Sequence, residues 1–293
     1  METPGTNVAV LGLGAMGQAL AAAFLGAGHR TTVWNRTTGK AKSLVEGGAH
    51  EAATVEQAVA AAPLVVVCLL DNAVVTDVLA GTDVAGRTVV NLTNGTPRQA
   101  RELAESFACR GAEYVDGGIM AVPPGIGTDQ ALLLYSGSQP AFDRYRDTLA
   151  VLGTPQFLGT EPGLAALSDL ALLTGMYGLF GGALQAFALA GSGGVAARDF
   201  VPMLQQWLAA MATNLPRFAE EIDTGDYATG VVSNLAMQAA AFPNLIHVSR
   251  EQGLRPDLLM PLHALMTERV AGGHGAEDFT GIVELIRTPE ENK

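Results

Sequence analysis

Apolar positions fall into two different patterns along the chain. Up to about residue 160, short runs of aliphatic residues recur between stretches with helical spacing. Runs of this length suit strands buried on both faces. They predict strands at 8–11, 31–34, 64–70, 88–92, 113–115, 131–135 and 156–158. Helices are predicted between them, at 17–26, 39–46, 55–61 and 97–109. Such alternation gives an α/β fold with a mostly parallel sheet covered by helices, and ligands bind at the carboxyl ends of its strands. Segments 69–72, 93–97 and 116–120 are therefore expected as loops facing a ligand.

Beyond residue 159 the strand pattern stops. Helices are predicted at 162–190, 198–221, 229–252, 256–271 and 276–286, with glycine clusters at 191–194 and 272–275 as breaks. The stretch from Leu170 to Gly191 carries no charge. A run of that length can span a bilayer. Asp169 at its border, Gln185 within it, several glycines and the lack of close Lys or Arg flanks argue instead for a soluble helix. A helix apolar all round is buried all round. The remaining helices are too few to enclose it, so a second copy of the chain is expected to wrap it, giving a homodimer.

Composition narrows the class. The 293 residues are 48% apolar and 16% charged, which suits two domains with much buried surface. A mean hydropathy of +0.25 also points to burial between subunits. The net charge of −12 argues against nucleic acid or an anionic membrane as partner. Cys68 falls in a predicted strand and Cys109 near a helix end, so no disulfide framework is expected. The first residues lack the basic and apolar regions of a signal peptide, and a cytoplasmic location is expected. No pair of histidines has metal-ligand spacing, and no metal is expected.

The first predicted strand runs into Gly12-Leu13-Gly14-Ala15-Met16-Gly17 and then a helix. The first glycine of such a motif makes a tight turn. The second lets backbone approach a pyrophosphate, and the third lets helix pack on strand. The pyrophosphate sits on the positive end of the helix. Where an NAD site has an acidic residue for the ribose hydroxyl, this chain has Asn35, Arg36 and Thr37, with Lys40 beyond. A guanidinium and a hydroxyl attract a 2′-phosphate that a carboxylate would repel, so the cofactor is read as NADP(H). Leu69, Leu70, Thr93 and Asn94 are expected to face it from later loops.

On the long predicted helix, Asp169, Leu172, Leu173, Met176, Tyr177 and Phe180 share one face. A carboxyl among apolar side chains is desolvated, which favours its protonated form. It then acts as an acid near neutral pH, or when ionised stabilises a cation. Both behaviours suit a protonated carbon–nitrogen double bond. Lysines occur only at Lys40, Lys42 and Lys293, so the helical half offers none for polarising a carbonyl.

These segments resemble the imine reductases and reductive aminases, a branch of the β-hydroxyacid dehydrogenase superfamily. The resemblance rests on the Gly12–Gly17 motif, on Gly28, on Val33-Trp34-Asn35-Arg36-Thr37 with Lys40, and on Gly159 to Ala165 leading to Asp169, Ala171 and Leu173. Hydroxyacid dehydrogenases carry a catalytic lysine at the position of Asp169. The resemblance implies a Rossmann domain at 1–160, an interdomain helix at 161–191 and a helical dimerisation and substrate domain at 192–293. It implies an interlocked homodimer with the active site shared between subunits. Asp169 becomes the proton donor or iminium stabiliser and Tyr177 a substrate-binding phenol. Asn94 lies beside the nicotinamide, as in reductive aminases, which join ketone and amine. Met120, Val122, Leu173, Met176, Phe180, Trp207, Met237 and Gln238 become substrate contacts, with Trp207, Met237 and Gln238 from the second subunit. Ser168 stands where many relatives have Tyr. The expected activity is NADPH-dependent reduction of an imine, or of a ketone plus an amine. Two alternatives are a lysine-free 3-hydroxyacid or carbonyl reductase on the same fold and a non-catalytic NADPH-binding protein.

Overall fold

The computed structural model describes residues 5–287; Lys293 lies outside them. Two compact units are present, Met1–Thr174 and Gly175–Lys293. The first holds β1 (Asn7–Leu11), β2 (Arg30–Trp34), β3 (His50–Glu51), β4 (Leu64–Val67), β5 (Thr88–Asn91), β6 (Glu113–Met120), β7 (Leu132–Gly137) and β8 (Thr154–Phe157). They form one sheet in the order β3-β2-β1-β4-β5-β6-β7-β8. Pairing is parallel except between β6 and β7. Neighbouring β1 and β4 mark where the order reverses, which is where such sheets open a crevice.

Helices α1 (Ala15–Gly26), α2 (Lys42–Glu46), α3 (Val55–Ala60), α4 (Asn72–Leu79), α5 (Pro97–Cys109) and α6 (Gln139–Leu149) cover the sheet. Side chains alternate across a strand. Val8 and Val10 thus join Leu20, Phe24 and Phe142 in one core, while Ala9 and Leu11 join Val65, Leu103 and Phe107 in another. Caps set several helix starts. Asp71 accepts from Val74 N at 2.9 Å, and Thr96 and Gln99 form a capping box before Pro97.

Three readings of this unit are corrected. Residues 116–120 are not a loop but the end of β6, paired with β7 from Asp116↔Ser136 to Met120↔Leu132. The Gly117-Gly118 pair that suggested a turn exists because neighbours press on the strand. A Cβ on Gly117 would lie 2.7 Å from Leu92 Cδ2. Second, β4 stops at Val67, so Cys68 follows the strand and is only half-buried. Third, residues 69–72 run into α4, a helix not predicted, because Asp71 caps it and Asn72 is its first residue.

From Gly163 the chain is helical. The helix α7 (Gly163–Ser192) runs unbroken from the first unit into the second. It is followed by α8 (Ala197–Ala212), α9 (Leu215–Thr224), α10 (Leu235–Ala241), α11 (Pro243–Glu251), α12 (Met260–Arg269) and the short α13 (Val283–Ile286). The helices predicted at 198–221 and 229–252 are each two. Pro216 and Pro243 stand in the first turns of α9 and α11, where a missing N–H is tolerated. Residues 229–234 are not helical, and Gly230 has φ of +71°. A π-helical turn at Val270–His274 with Gly273 at φ +91° marks the second glycine cluster. Residues 276–286 are helical only from Phe279, first as a 3₁₀ turn. By length and composition α7 is apolar enough to cross a membrane, yet only 22% of its most apolar stretch is buried within the chain. Complete burial of α7 is thus not achieved by one chain alone.

Candidate active site

The glycine-rich turn opens a cleft of about 400 Å³ at the carboxyl ends of β1 and β4. Two of its glycines answer to the protein itself. At Gly12, with φ +99°, a Cβ would lie 2.1 Å from Cys68 O; at Gly17 it would lie 1.9 Å from Gly12 O. Gly14 is different. A Cβ there meets no protein atom within 4 Å, so the missing side chain leaves room for something other than protein. Gly14 is also the N-cap of α1, which has no side-chain cap and no acidic residue in its first turn. The free N–H groups and the helix dipole therefore present positive charge to the cleft.

Ala15 and Met16 line this cleft with Gly14, and Arg36, Thr37, Leu69 and Leu70 line its other walls. Arg36 is exposed and has no ion pair among the described residues. Asn35 acts mainly on the protein. Its Oδ1 accepts from Leu13 N at 2.9 Å and its Nδ2 donates to Thr37 O at 2.9 Å, tying the glycine turn to the end of β2. Leu13, expected against the cofactor, is corrected: its side chain is buried in the core and its N–H is taken by Asn35. Lys40 is exposed and does not line the cleft. Thr93 is buried, with its hydroxyl accepting from Leu69 N at 3.0 Å, so it shapes the wall from behind. The residues present fit a dinucleotide with a 2′-phosphate: an open glycine, an uncapped helix start, and a free guanidinium with no carboxylate beside it.

Past β5 the chain turns through Asn94, whose Nδ2 donates to Asp169 Oδ2 at 2.6 Å. The two are 75 residues apart in sequence. Asp169 is only 5% exposed. Burial pushes its carboxyl above the usual range, and the bond from Asn94 opposes that rise. Gly118 allows the approach, since a Cβ there would fall 2.9 Å from Asp169 Cβ. Met120 is half-buried at the end of β6, and Val122 is exposed just beyond it.

The other expected contacts lie on helices. Leu173 and Met176 are half-buried, and Phe180 is exposed. Tyr177 is 68% exposed and Trp207 60%. Met237 is exposed, and Gln238 donates to Ser233 O at 2.7 Å. Sequence reasoning missed the polar network under Asn94. Asn91 Nδ2 donates to Asn72 Oδ1 at 3.0 Å and to the Tyr114 hydroxyl at 3.1 Å, and that hydroxyl donates to Asp116 Oδ1 at 2.8 Å. The available signal was Tyr114-Val115-Asp116-Gly117-Gly118, polar groups followed by glycines inside a strand pattern.

Residues 7–160 match the NAD binding domain of 6-phosphogluconate dehydrogenase. Residues 161–288 match the NADPH-dependent reductive aminase-like C-terminal domain. Over 287 residues the chain is 48% identical to an NADPH-dependent reductive aminase of Aspergillus oryzae, covering 96% of this chain and 97% of that protein. A reductive aminase from Aspergillus terreus, solved with NADPH4, cyclohexanone and allyl amine, superposes with a TM-score of 0.92 at 48% identity. The match covers 97% of this chain and 100% of that one. The imine reductase of Streptomyces aurantiacus gives a TM-score of 0.92 at 35% identity, over 97% and 100% of the two chains.

Proposed function

The chain belongs to the family of NADPH-dependent imine reductases and reductive aminases, and from that premise we propose how its own residues reduce a carbon–nitrogen double bond. It is an NADP-dependent oxidoreductase acting on C=N bonds. NADPH, when bound, supplies the hydride that goes to the imine carbon. Gly14 and the first turn of α1 hold the pyrophosphate, and Arg36 with Thr37 holds the 2′-phosphate. Asp169 supplies the proton to nitrogen, or in its ionised form stabilises the iminium. The observation that carries this reading is the buried Asp169 carboxyl fixed by Asn94, in a helical half without lysine among residues 161–292. A desolvated carboxyl keeps its proton to higher pH, and a low-dielectric setting strengthens its attraction for a cation. Asn94 engages Oδ2, and Oδ1 makes no hydrogen bond among the described residues.

We propose that the remaining walls come from a second copy of the chain. Tyr177, Trp207 and Met237 are large side chains left exposed on the helical unit, which supports a role in covering apolar surface in a homodimer. An aromatic wall such as Trp207 adds cation–π attraction for an iminium. In this reading Tyr177 hydrogen-bonds the substrate. Met120, Val122, Leu173, Met176 and Phe180 complete the apolar lining, and the enzyme accepts a ketone plus an amine as well as a preformed imine. A reducing cytoplasm suits the free thiols of Cys68 and Cys109.

The test is NADPH oxidation with 2-methyl-1-pyrroline, set against NADP reduction with a panel of small 3-hydroxy acids. Turnover with the imine and none with the acids is expected. Turnover with the acids alone favours carbonyl chemistry, and NADPH binding without any oxidation favours a nucleotide sensor.

A further inference from the structure

A second carboxyl lies beneath the proposed site and is not used by its chemistry. Asp116 is buried in β6, two residues from Gly118 and therefore on the same face of the strand. That face receives α7, since Gly118 lies against Asp169. The first N–H groups of a helix have no partner inside it. Here two of them find partners outside. Leu164 N donates to Glu161 O at 3.2 Å and Ala165 N to Ser136 Oγ at 2.9 Å, and Ser136 is paired across the sheet with Asp116. Asp169 follows one turn after Ala165. From the other side, Asp116 accepts from Tyr114, and Tyr114 accepts from Asn91. Asn91 Oδ1 accepts from Thr93 N at 3.2 Å, next to Asn94, which grips Asp169. The contacts run from Asp169 through the β5 loop to Asp116 in β6.

We propose that Asp116 is a positioning residue for Asp169: through Tyr114 and Asn91 it holds the turn after β5 that carries Asn94, and the two carboxyls titrate as a coupled pair. The proposal rests on reading Asp169 as the reacting carboxyl. Burial pushes Asp116 up to about 7; the bonds from Tyr114 and Ala166 oppose the rise, and the charges of Asp169 and Glu161 add to it. These groups face it from β6, from α7 and from the turn before α7. Glu161 is itself paired with Arg101 at 2.6 Å. Asp169 is also raised by burial. Two carboxyls in one desolvated patch lose their protons in two steps that belong to the pair. The first charge formed strengthens the hold of the other carboxyl on its proton, and the second step leaves two like charges in the patch.

The experiment is the pH profile of kcat for the parent, Asp116→Asn and Tyr114→Phe, with Kd for NADPH measured alongside. The parent is expected to show a limb that fits two protons, and Asp116→Asn a limb that fits one, with NADPH affinity unchanged. Tyr114→Phe removes a bond that favours ionised Asp116, so its second step moves up by about one unit; this variant carries the test if Asp116→Asn does not fold. A folded Asp116→Asn with the parent profile, or Tyr114→Phe with an unmoved step, overturns the proposal. Infrared titration of carboxyl bands in ligand-free protein needs no turnover. It separates failure of this inference from failure of the imine-reduction reading. Coupled transitions in the parent, reduced to one in Asp116→Asn and in Asp169→Asn, support the pair. Transitions that survive unshifted when the other carboxyl is removed refute it.

Discussion

In the nucleotide-binding unit, alternate residues of β1 and β4 fill two cores, one on each side of the sheet, and Phe24, Phe107 and Phe142 are fully buried. In the helical unit the buried cluster consists of Leu235, Met266 and Ile282, while Phe180, Leu184, Met203 and Trp207 stand exposed. The difference lies in what each sequence can cover alone. A sheet with helices on it buries strands on both faces within one chain. A helix apolar around its whole circumference needs neighbours on every side, and α7 lacks them. The first unit thus completes its own cleft, and the second leaves large apolar side chains uncovered within the chain.

The largest expected effect lies within the first unit, between chemistry and nucleotide binding. Asp169→Ala should lower kcat by about 10²- to 10⁴-fold, the usual range for a general acid or base, with NADPH affinity nearly unchanged. Stopped-flow turnover and fluorescence titration of NADPH check both halves; parallel loss of binding would mean that Asp169 only supports the fold.

A charge on the open face tests the helical unit. Leu184→Glu, at a side chain 66% exposed in the single chain, should weaken self-association by roughly a hundredfold, as expected for a residue at the centre of an interface. Light scattering after size-exclusion chromatography reads the mass. A parent that is already monomeric, or a variant of unchanged mass, breaks the comparison in favour of a different occupant, a membrane included.

Within the first unit, Gly14→Ala and Gly17→Ala should separate ligand from fold. At Gly17 the added methyl meets Gly12 O, and stability should drop by about 1–3 kcal/mol. At Gly14 it meets nothing of the protein, so stability should hold while Kd for NADPH rises about tenfold. Paired melting curves and NADPH titrations decide.

The smallest expected effect is a pH slope. The carboxyl of Asp116 rises from 3.8 to about 7 on folding. Its contribution to stability is therefore fully present below the unfolded value and lost as pH rises through the folded one. Asp116→Asn should gain several degrees on the parent between about pH 4 and about pH 7. Parallel melting temperatures across that window would remove Asp116 as a titrating group.

The strands of the first unit were legible because buried parallel strands are continuous apolar runs. The glycine turn was legible because its three glycines have separate duties. Helix α4 was not, because its start depends on the cap at Asp71 rather than on a clear apolar stripe. The strand β3, two residues long and exposed, has no pattern to read. The splits before α9 and α11 were written in Pro216 and Pro243 but were masked by helical spacing on both sides. Asp169 was readable from its apolar helix and the scarcity of lysine. Its bond to Asn94 was not, because no local pattern connects residues 75 apart. Asp116 was misplaced because paired glycines in a strand look like a turn until the neighbours that demand them are known.

Gly14 carries a practical warning. A campaign that ranks variants by heat resistance alone has no reason to protect this position, since no atom of the folded chain objects to an alanine there. The damage would fall wholly on the guest molecule, so hardened variants chosen in its absence need screening for their hold on it before they are trusted as catalysts.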